Sequence, residues 1–148
     1  MQLLINELET YFNGNKNKLL EDFLPRFKKI FNSEKIFLKN ERLVGTYTKE
    51  KLFENEFFEI IFITWGAHCE SPIHCHPKNG CILTILDGNL IEEKYSPTGI
   101  LYEYNFLKLG DIAYMHNSIG KHRIINKNDY NVYSLHIYSP PRFYDKCN

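Results

Sequence analysis

The sequence predicts a mainly β protein, a barrel or sandwich of short strands behind a helical N-terminal cap. Up to residue 33, apolar residues recur at helical spacing. After residue 33, short segments rich in Ile, Phe, Tyr and Val alternate with turn residues. Seven or more short strands at such spacing are typical of barrels and sandwiches. We therefore expect one domain over 1–148, with the cap over 1–33 and the barrel over 34–148.

The cap is expected to contain two or three helices. Leu4, Leu8 and Phe12 lie on one face of a first helix, and Asn13-Gly14 is a plausible stop signal. A second helical stretch covers 19–31, where Pro25 either kinks the helix or marks its first turn.

The barrel is expected to contain seven strands separated by turns. Asp87-Gly88-Asn89 and Ser96-Pro97-Thr98-Gly99 are the clearest hairpin signals. The predicted strands are Phe57 to Trp65, Cys81 to Asp87, Leu90 to Tyr95, Ile100 to Phe106, Ile112 to Met115, His122 to Ile125 and Asn131 to Ser139.

Composition and charge exclude several classes of partner. Lysine plus arginine equals aspartate plus glutamate, 18 each, so no electrostatic argument favours a nucleic acid or a membrane surface. No apolar run approaches the roughly 18 residues of a membrane helix. The N-terminal residues lack the basic start and long apolar core of a secretory signal. We expect a cytoplasmic monomer.

The four cysteines are Cys69, Cys75, Cys81 and Cys147. They could form two disulfides, but a cytoplasmic chain of this size does not need them. Cys69 and Cys75 are expected to be buried and to act as small apolar side chains.

Three histidines are candidate metal ligands. His74 and His76 are separated by one residue, so in a strand both imidazoles would point to the same face and reach one ion. Two such histidines alone are weak evidence. The spacing that follows strengthens them, because four residues separate His76 from Cys81 and six separate Cys81 from Gly88. Further on, three residues separate His122 from Asn126.

This spacing resembles the two motifs of the cupin superfamily, whose small barrels hold a metal at their mouth. In many cupins the first motif supplies two histidines and a glutamate, and the second motif supplies another histidine. Cys81 stands where the glutamate is expected. The resemblance therefore implies three neutral imidazoles, from His74, His76 and His122, with positions open for anionic substrate and dioxygen.

Five dispersed segments resemble the cysteine dioxygenase family within the cupins. The resemblance extends from about Tyr47 to Pro141. The segments are 71–76, the Cys81 position, 86–90, 120–123 and 134–141. The resemblance implies a jelly-roll cupin barrel and an Fe(2+) enzyme that adds both atoms of dioxygen to the thiolate of cysteine, giving cysteine sulfinate. It also implies a place in cysteine catabolism and taurine biosynthesis.

The last predicted strand carries a candidate relay. Ser134, His136 and Tyr138 alternate, so they share one face of the strand. Alternation alone slightly favours a solvent-facing side, but the match to the family's Ser-x-His-x-Tyr pattern favours an inward one. The resemblance implies that Tyr138 acts near the substrate and that His136 orients it through Ser134. It also implies a thioether bond between Cys81 and Tyr138, with an uncrosslinked fraction coexisting; an unreactive buried thiol is the alternative.

The substrate-binding segment departs from the family. The family binds the substrate carboxylate with an arginine that follows a Tyr-x element, and this chain has Tyr47-Thr48-Lys49. Lysine keeps the positive charge but loses the planar, two-pronged grip on a carboxylate. We expect Tyr47 and Lys49 to bind the substrate, with Lys51 or no residue as alternatives. L-Cysteine is the favoured thiol, and 3-mercaptopropionate and cysteamine are the alternatives.

Two other functions compete with thiol oxidation. The first is a cupin isomerase or decarboxylase with zinc or manganese on the same histidines, although such sites usually include a carboxylate ligand. The second is a non-catalytic cupin. We assign no role to His68 or His116. Trp65 is most simply a core residue, although it stands where the family has a tryptophan near its site.

Overall fold

The computed structural model describes residues 1–31, 39–116 and 118–143. The predicted boundary between residues 33 and 34, and Cys147, lie outside the described residues. Within these ranges the helical elements are α1 (Gln2–Phe12), a 3₁₀ turn (Leu20–Phe23) and α2 (Leu24–Phe31). The strands are β1 (Tyr47–Glu54), β2 (Glu59–Trp65), β3 (Cys81–Asp87), β4 (Asn89–Tyr95), β5 (Leu101–Lys108), β6 (Ile112–Met115), β7 (Lys121–Ile125) and β8 (Val132–Tyr138).

The two predicted helices are confirmed. Helix α1 ends at Asn13, whose left-handed backbone (φ 45°) lets its N–H donate to the Glu9 carbonyl at 2.9 Å. Pro25 is the second residue of α2, where a missing N–H costs no helical hydrogen bond. It therefore marks the first turn of α2 and does not kink a longer helix.

The strands form two antiparallel sheets. The larger sheet has the order β1-β2-β8-β3-β6, and the smaller has the order β5-β4-β7. This is the jelly-roll type of fold predicted, with two facing sheets in place of a closed barrel within the described residues. All seven predicted strands are confirmed. Strand β1 was missed as a strand because it is an edge strand whose charged side chains hide its period-two pattern.

Helices and the smaller sheet cover opposite faces of the larger sheet. On the helical side, buried residues of α1, the 3₁₀ turn and α2 pack against Ile60, Ile82, Leu135 and Ile137. On the other side the two sheets enclose a second core. Its members are Ile61, Ile63, Trp65, Cys69, Leu83, Ile85, Leu90, Leu107, Ala113, Ile124 and Val132. Alternation within β2 and β8 sends successive side chains to these two cores.

Strand β8 lies at the centre of the larger sheet, between β2 and β3. Leu135 and Ile137 face the helices, so Ser134 and His136 must face the space between the sheets. Both polar side chains are buried there. In the described part of the chain, no helix is long and apolar enough to span a membrane.

Candidate metal centre

The three predicted histidines meet at one point between the sheets. His122 lies on β7, and His74 and His76 lie in the connection between β2 and β3. Each offers one ring nitrogen to a cluster whose ligand atoms all lie within 4.8 Å of one another. The prediction that they converge is confirmed.

The expectation that His74 and His76 share one face of a strand is wrong. His74 and His76 are not in a regular strand; His74 forms only an isolated antiparallel bridge with His122. Two backbone hydrogen bonds, of 3.0 and 3.1 Å, make this bridge. Pro72 and Pro77, which lack an N–H group, flank the segment, so a longer ladder cannot form. This bridge and a second one between Glu70 and Ile125 hold the segment against β7 and bring the first histidine pair to the third ligand.

The tautomers of His74 and His122 follow from their hydrogen bonds. His74 Nδ1 lies 2.9 Å from the Pro72 carbonyl oxygen, which can only accept, so Nδ1 carries the proton. His122 Nδ1 lies 2.9 Å from Glu92 Oε2 and donates to this carboxylate. In a neutral imidazole each Nε2 then carries a lone pair. These two lone pairs face each other across 2.9 Å, an arrangement that a bound cation would stabilise.

The spacing of the nitrogens fits a metal ion with ligands at right angles. His122 Nε2 lies 2.9 Å from His74 Nε2 and 3.0 Å from His76 Nε2. Two ligands at right angles, each about 2.1 Å from an ion, are about 3.0 Å apart, whereas tetrahedral ligands are about 3.4 Å apart. The Nε2 atoms of His74 and His76 therefore each lie at a distance from His122 Nε2 that fits adjacent ligands of one ion.

Burial keeps the ligand histidines neutral. Burial lowers the pKa of His76 and of His122 well below the ordinary value, and the neighbouring histidines lower both further. A neutral imidazole is the form that binds a metal. His76 and His122 therefore each have one unprotonated ring nitrogen that is able to bind a metal ion.

Glu92 is a buried carboxylate behind His122. It lies on β4, is fully buried, and contacts His122 Nδ1 through Oε2 while Asn105 Nδ2 donates to Oε1 at 3.1 Å. Burial raises the pKa of Glu92, and Lys94 and the Asn105 amide oppose that rise. A carboxylate that accepts from the far nitrogen of a ligand histidine fixes its tautomer and orientation.

A cavity of about 320 Å³ opens beside the histidines. His74 is the ligand that lines it. Polar and aromatic side chains from β1, β2, β8 and the C-terminal segment also line it: Tyr47, Lys49, Lys51, Glu59, Trp65, His136, Tyr138 and Arg142. The structure therefore brings the predicted relay and the predicted substrate-binding residues to the same cavity as the metal ligands.

The predicted relay is present as a chain of hydrogen bonds on the inward face of β8. Ser134 Oγ lies 2.8 Å from His136 Nε2, and His136 Nδ1 lies 3.2 Å from the Tyr138 hydroxyl. The solvent-facing alternative is excluded because Ser134 is 0% and His136 2% exposed. Burial lowers the pKa of His136 well below its ordinary value, so its imidazole is neutral.

Cys81 is directly opposite Tyr138 in the pairing of β3 with β8. It is a buried, free thiol. Its thiol lies 3.7 Å from the Ile82 carbonyl oxygen and also interacts with the Tyr138 hydroxyl. Burial raises the pKa of both the Cys81 thiol and the Tyr138 hydroxyl. Cys81 stands at the sequence position where many cupins have a glutamate ligand. It is not part of the histidine cluster and contributes no ligand.

Lys49 and Lys51 project from β1 toward the cavity but differ in their partners. Lys51 Nζ contacts Glu54 Oε1 at 2.5 Å and Glu59 Oε2 at 3.3 Å. Lys49 has no ion-pair partner within the described ranges of the chain. Tyr47, on the same face of β1, packs its ring on Trp65 with centroids 4.9 Å apart.

Glu59, Glu92 and Arg142 were missed in the sequence, and Trp65 was noted near the site without a role. Glu59 and Arg142 line the cavity, and Trp65 donates a hydrogen bond to Ser134. A signal existed for Glu92, because it shares a strand face with the core residue Leu90 and a charge there is unusual. Arg142 follows the predicted strands and carried no signal.

The remaining cysteines and histidines differ from one another. Cys69 is a buried free thiol, as expected. Cys75 is half-buried and disulfide-bonded, so the expectation of a buried apolar side chain is wrong for it. His68 lies 3.6 Å from Asp129, and His116 Nε2 lies 2.6 Å from the Lys78 carbonyl oxygen. Neither belongs to the metal cluster.

Comparisons with known proteins agree with this site. Residues 37–148 match the family model described as cysteine dioxygenase type I. The chain is 36% identical over 101 residues to cysteine dioxygenase type 1 of Bos taurus, an alignment covering 64% of this chain and 50% of that protein. It is 27% identical over 158 aligned positions to cysteine dioxygenase type 1 of Danio rerio, covering 85% and 77%.

The first of these alignments spans about half the length of the curated relative. Among solved structures, an RmlC-like cupin family protein with a double-stranded β-helix fold from Methanocaldococcus jannaschii superposes with a TM-score of 0.54 at 23% identity. That match covers 72% of this chain and 91% of the other, and it establishes the cupin fold. Because the family model matches most of its length, the chain belongs to the cysteine dioxygenase type I family.

Proposed function

We propose that the chain is a non-haem iron(II) thiol dioxygenase that oxidises L-cysteine to cysteine sulfinate. The observation that carries this proposal is a cluster of three histidines, with no carboxylate ligand among the described residues, beside the Ser134-His136-Tyr138 relay. In the overall reaction both atoms of dioxygen add to the thiolate sulfur, which loses four electrons while dioxygen gains four.

His74, His76 and His122 would hold the iron. Iron(II), when bound there, supplies a centre at which thiolate and dioxygen can both be held and exchange electrons. Among the described residues no anionic ligand joins the cluster, which supports this assignment, because three imidazole ligands leave the full divalent charge to attract a thiolate. Zinc or manganese sites in other cupins usually include a carboxylate.

Lys49 supports a substrate that carries a carboxylate. It lines the cavity and has no ion-pair partner among residues 1–31, 39–116 and 118–143, whereas Lys51 is held by Glu54 and Glu59. Arg142 lies 3.5 Å from Glu54 and so has an acidic partner of its own. Of these three cations, Lys49 is the one available to a carboxylate, with the Tyr47 hydroxyl on the same face of β1 as a second donor.

Tyr138 would bind and orient the oxygen or carboxylate atoms of the bound reactants. Its ring lies at the cavity wall and its hydroxyl is held by His136. The high pKa of this hydroxyl, caused first by burial, keeps it protonated as a hydrogen-bond donor. Apolar side chains of Ile61 and Ile63 in the same wall exclude water from the reactants.

Product identification tests the proposal directly. Iron-loaded protein with cysteine and air should consume dioxygen and yield cysteine sulfinate with both oxygen atoms derived from ¹⁸O₂. His122→Ala should lose both iron retention and oxygen uptake. Protein that retains iron but gives only cystine, formed by thiol oxidation in solution, would contradict the proposal.

Two alternatives have their own outcomes in this experiment. If cysteamine is turned over faster than cysteine and 3-mercaptopropionate, the chain is a dioxygenase for another small thiol and Lys49 does not bind a carboxylate. If protein purified without oxygen contains tightly bound zinc and no thiol is oxidised after iron loading, the chain is a metal-binding cupin of different or no activity.

A further inference from the structure

Trp65 is the first member of the hydrogen-bond chain that ends at Tyr138. Its indole Nε1 donates to Ser134 Oγ at 2.8 Å, and both side chains are buried. The series of hydrogen bonds runs from Trp65 through Ser134 and His136 to Tyr138, with distances of 2.8, 2.8 and 3.2 Å. The bond from Trp65 to Ser134 has only one possible direction, whereas each of the two bonds of His136 could run either way.

The indole determines what Ser134 does. An indole N–H can only donate, so it occupies a lone pair of Ser134 Oγ. A buried hydroxyl needs an acceptor for its own proton. Within the described residues, the partners of Ser134 Oγ are Trp65 Nε1 and His136 Nε2. Since the indole offers no lone pair, the Ser134 hydroxyl must donate to His136 Nε2.

The direction of the Ser134 hydrogen bond determines the direction of the next bond, between His136 and Tyr138. A neutral imidazole that accepts at Nε2 carries its single proton on Nδ1. His136 Nδ1 therefore donates to the oxygen of Tyr138 across 3.2 Å. The Tyr138 hydroxyl proton is left to point away from the relay, toward Cys81 or a molecule in the cavity.

We propose that Trp65 is a positioning residue that sets the direction of the whole relay, so that Tyr138 meets its reactants as a hydrogen-bond donor. The catalytic consequence rests on the proposed function, but the direction of the bonds does not. Without the indole donor, Ser134 could reverse and His136 could populate both tautomers. In part of the molecules the Tyr138 hydroxyl would then donate to His136, and it could not donate to a molecule in the cavity.

The surroundings of Trp65 hold its indole in place. Its backbone carbonyl accepts from Asn126 Nδ2 at 3.0 Å, and the same amide donates to the Gly66 and Tyr130 carbonyls at 2.9 Å each. On the cavity side the ring packs against Tyr47. A side chain fixed at its backbone and on one ring face loses little entropy when its N–H is directed at Ser134.

The test measures the tautomer of His136 by ¹⁵N NMR of the full chain loaded with zinc(II), a diamagnetic probe that accepts histidine ligands. In the unsubstituted protein we expect Nδ1 to have the shift of a protonated nitrogen and Nε2 that of an unprotonated one. The opposite pattern would overturn the proposal without any variant being needed.

Trp65 is the only tryptophan in the sequence, so the indole can be changed without touching another residue. Biosynthetic replacement of tryptophan by its benzothiophene analogue substitutes sulfur for the N–H group at almost constant shape. We expect the two ¹⁵N shifts of His136 to move toward each other, as in a mixture of tautomers. Trp65→Phe should move the two ¹⁵N shifts of His136 in the same way. Asn126→Asp is the comparison variant, because it perturbs the contact with the Trp65 backbone but keeps the indole N–H.

Activity of the iron-loaded protein provides the second readout. Loss of the donor should lower kcat for cysteine about tenfold with a smaller change in KM, in the range typical of outer hydrogen-bond partners. Unchanged ¹⁵N shifts in the benzothiophene protein would refute the role of Trp65 whatever the activity. Shifts that move as expected in a protein that oxidises no thiol would instead support the relay direction and refute the proposed function.

Discussion

Cys81 and Tyr138 are directly opposite each other across β3 and β8, where Cys81 is buried and Tyr138 lines the cavity. Directly opposite residues on antiparallel strands have Cβ atoms about 5 Å apart, so a bond from Sγ to the tyrosine ring requires only local movement. The pairing register, not chance proximity in a loop, holds these two groups together. A thioether here would join two strands that are already paired.

We therefore predict that turnover joins Cys81 to Tyr138 in part of the protein. One C–S bond forms, a thiol proton and a ring hydrogen are lost, and dioxygen accepts both electrons and both protons to leave as hydrogen peroxide. Peptide mass spectrometry after incubation with iron(II), cysteine and air should find a joined peptide lighter by two hydrogen atoms. Cys81→Ser should never form it, and Cys69→Ser, which changes the other buried free thiol, should form it normally. Two separate unmodified peptides after many turnovers would contradict the prediction.

Glu92 should control the affinity for the metal through His122. Glu92→Leu removes the acceptor from His122 Nδ1 and lets the imidazole change tautomer, so we expect metal affinity to fall about 10- to 100-fold. Glu92→Gln keeps an acceptor without the charge and should have an intermediate effect. Competition with a chelator of known affinity measures both values.

The matched control for this prediction is Glu93→Gln. Glu93 is the next residue of β4, and its carboxylate contacts Arg123 and the Tyr95 hydroxyl, away from the histidines. Its substitution should leave metal affinity unchanged. Equal losses in the Glu92 and Glu93 variants would mean that the effect comes from weakening β4 and not from the contact with His122.

The part of the fold that was predictable is the part with a periodic apolar pattern. Helix α1 and the strands other than β1 and β5 have such a pattern, since they bury one or both faces. Strand β5 was predicted from its apolar and aromatic residues, although most of them are exposed. Strand β1 was missed because its charged residues face solvent or the cavity, so burial imposes no alternation on it. The jelly-roll fold class was predicted correctly, but the order of the strands in the two sheets was not predictable, because periodicity indicates burial and not which strands pair.

The site was predictable where residue type and spacing coincide with a known motif. His74, His76 and His122 were found in this way, although the strand geometry assumed for the first pair is wrong. Trp65 was assigned to the core because its role depends on which strand lies beside β2. Arg142 could not be placed because its position at the cavity is a consequence of tertiary structure alone.

Lys49 should determine the preference among small thiols. Lys49→Ala removes the cation expected to bind a carboxylate, so kcat/KM for cysteine should fall about 10- to 100-fold, as is typical of a hydrogen bond to a charged group. Cysteamine, which has no carboxylate, should be turned over at an unchanged rate. Lys49→Arg should raise kcat/KM for cysteine, because a guanidinium binds a carboxylate with two donors.

Lys108→Ala is the control for Lys49, since Lys108 is exposed on β5 and does not line the cavity. Rates for all three thiols should be unchanged in this variant. If Lys49→Ala slows cysteine and cysteamine equally, the lysine acts on the protein or on the metal centre and not on the substrate carboxylate.

The stability of the metal-free chain should fall steeply below neutral pH. Burial lowers the pKa of His76, His122 and His136 in the folded state, while in the unfolded chain each titrates near 6.5. Below about pH 6.5 the unfolded state therefore binds more protons, so the free energy of unfolding decreases as the pH falls. Each buried histidine contributes up to about 1.4 kcal/mol per pH unit in this window.

Urea unfolding of the metal-free chain between pH 7.5 and pH 5, chosen as about one unit above and below the ordinary histidine pKa, measures this slope. His136→Gln removes one buried histidine that is not a candidate ligand, so the slope should decrease by about the contribution of one proton. Saturation with zinc(II) should raise the free energy of unfolding, because the metal binds the histidine cluster of the folded chain. A slope that is flat in the metal-free chain, or unchanged by His136→Gln, would mean that these histidines are not kept neutral by burial.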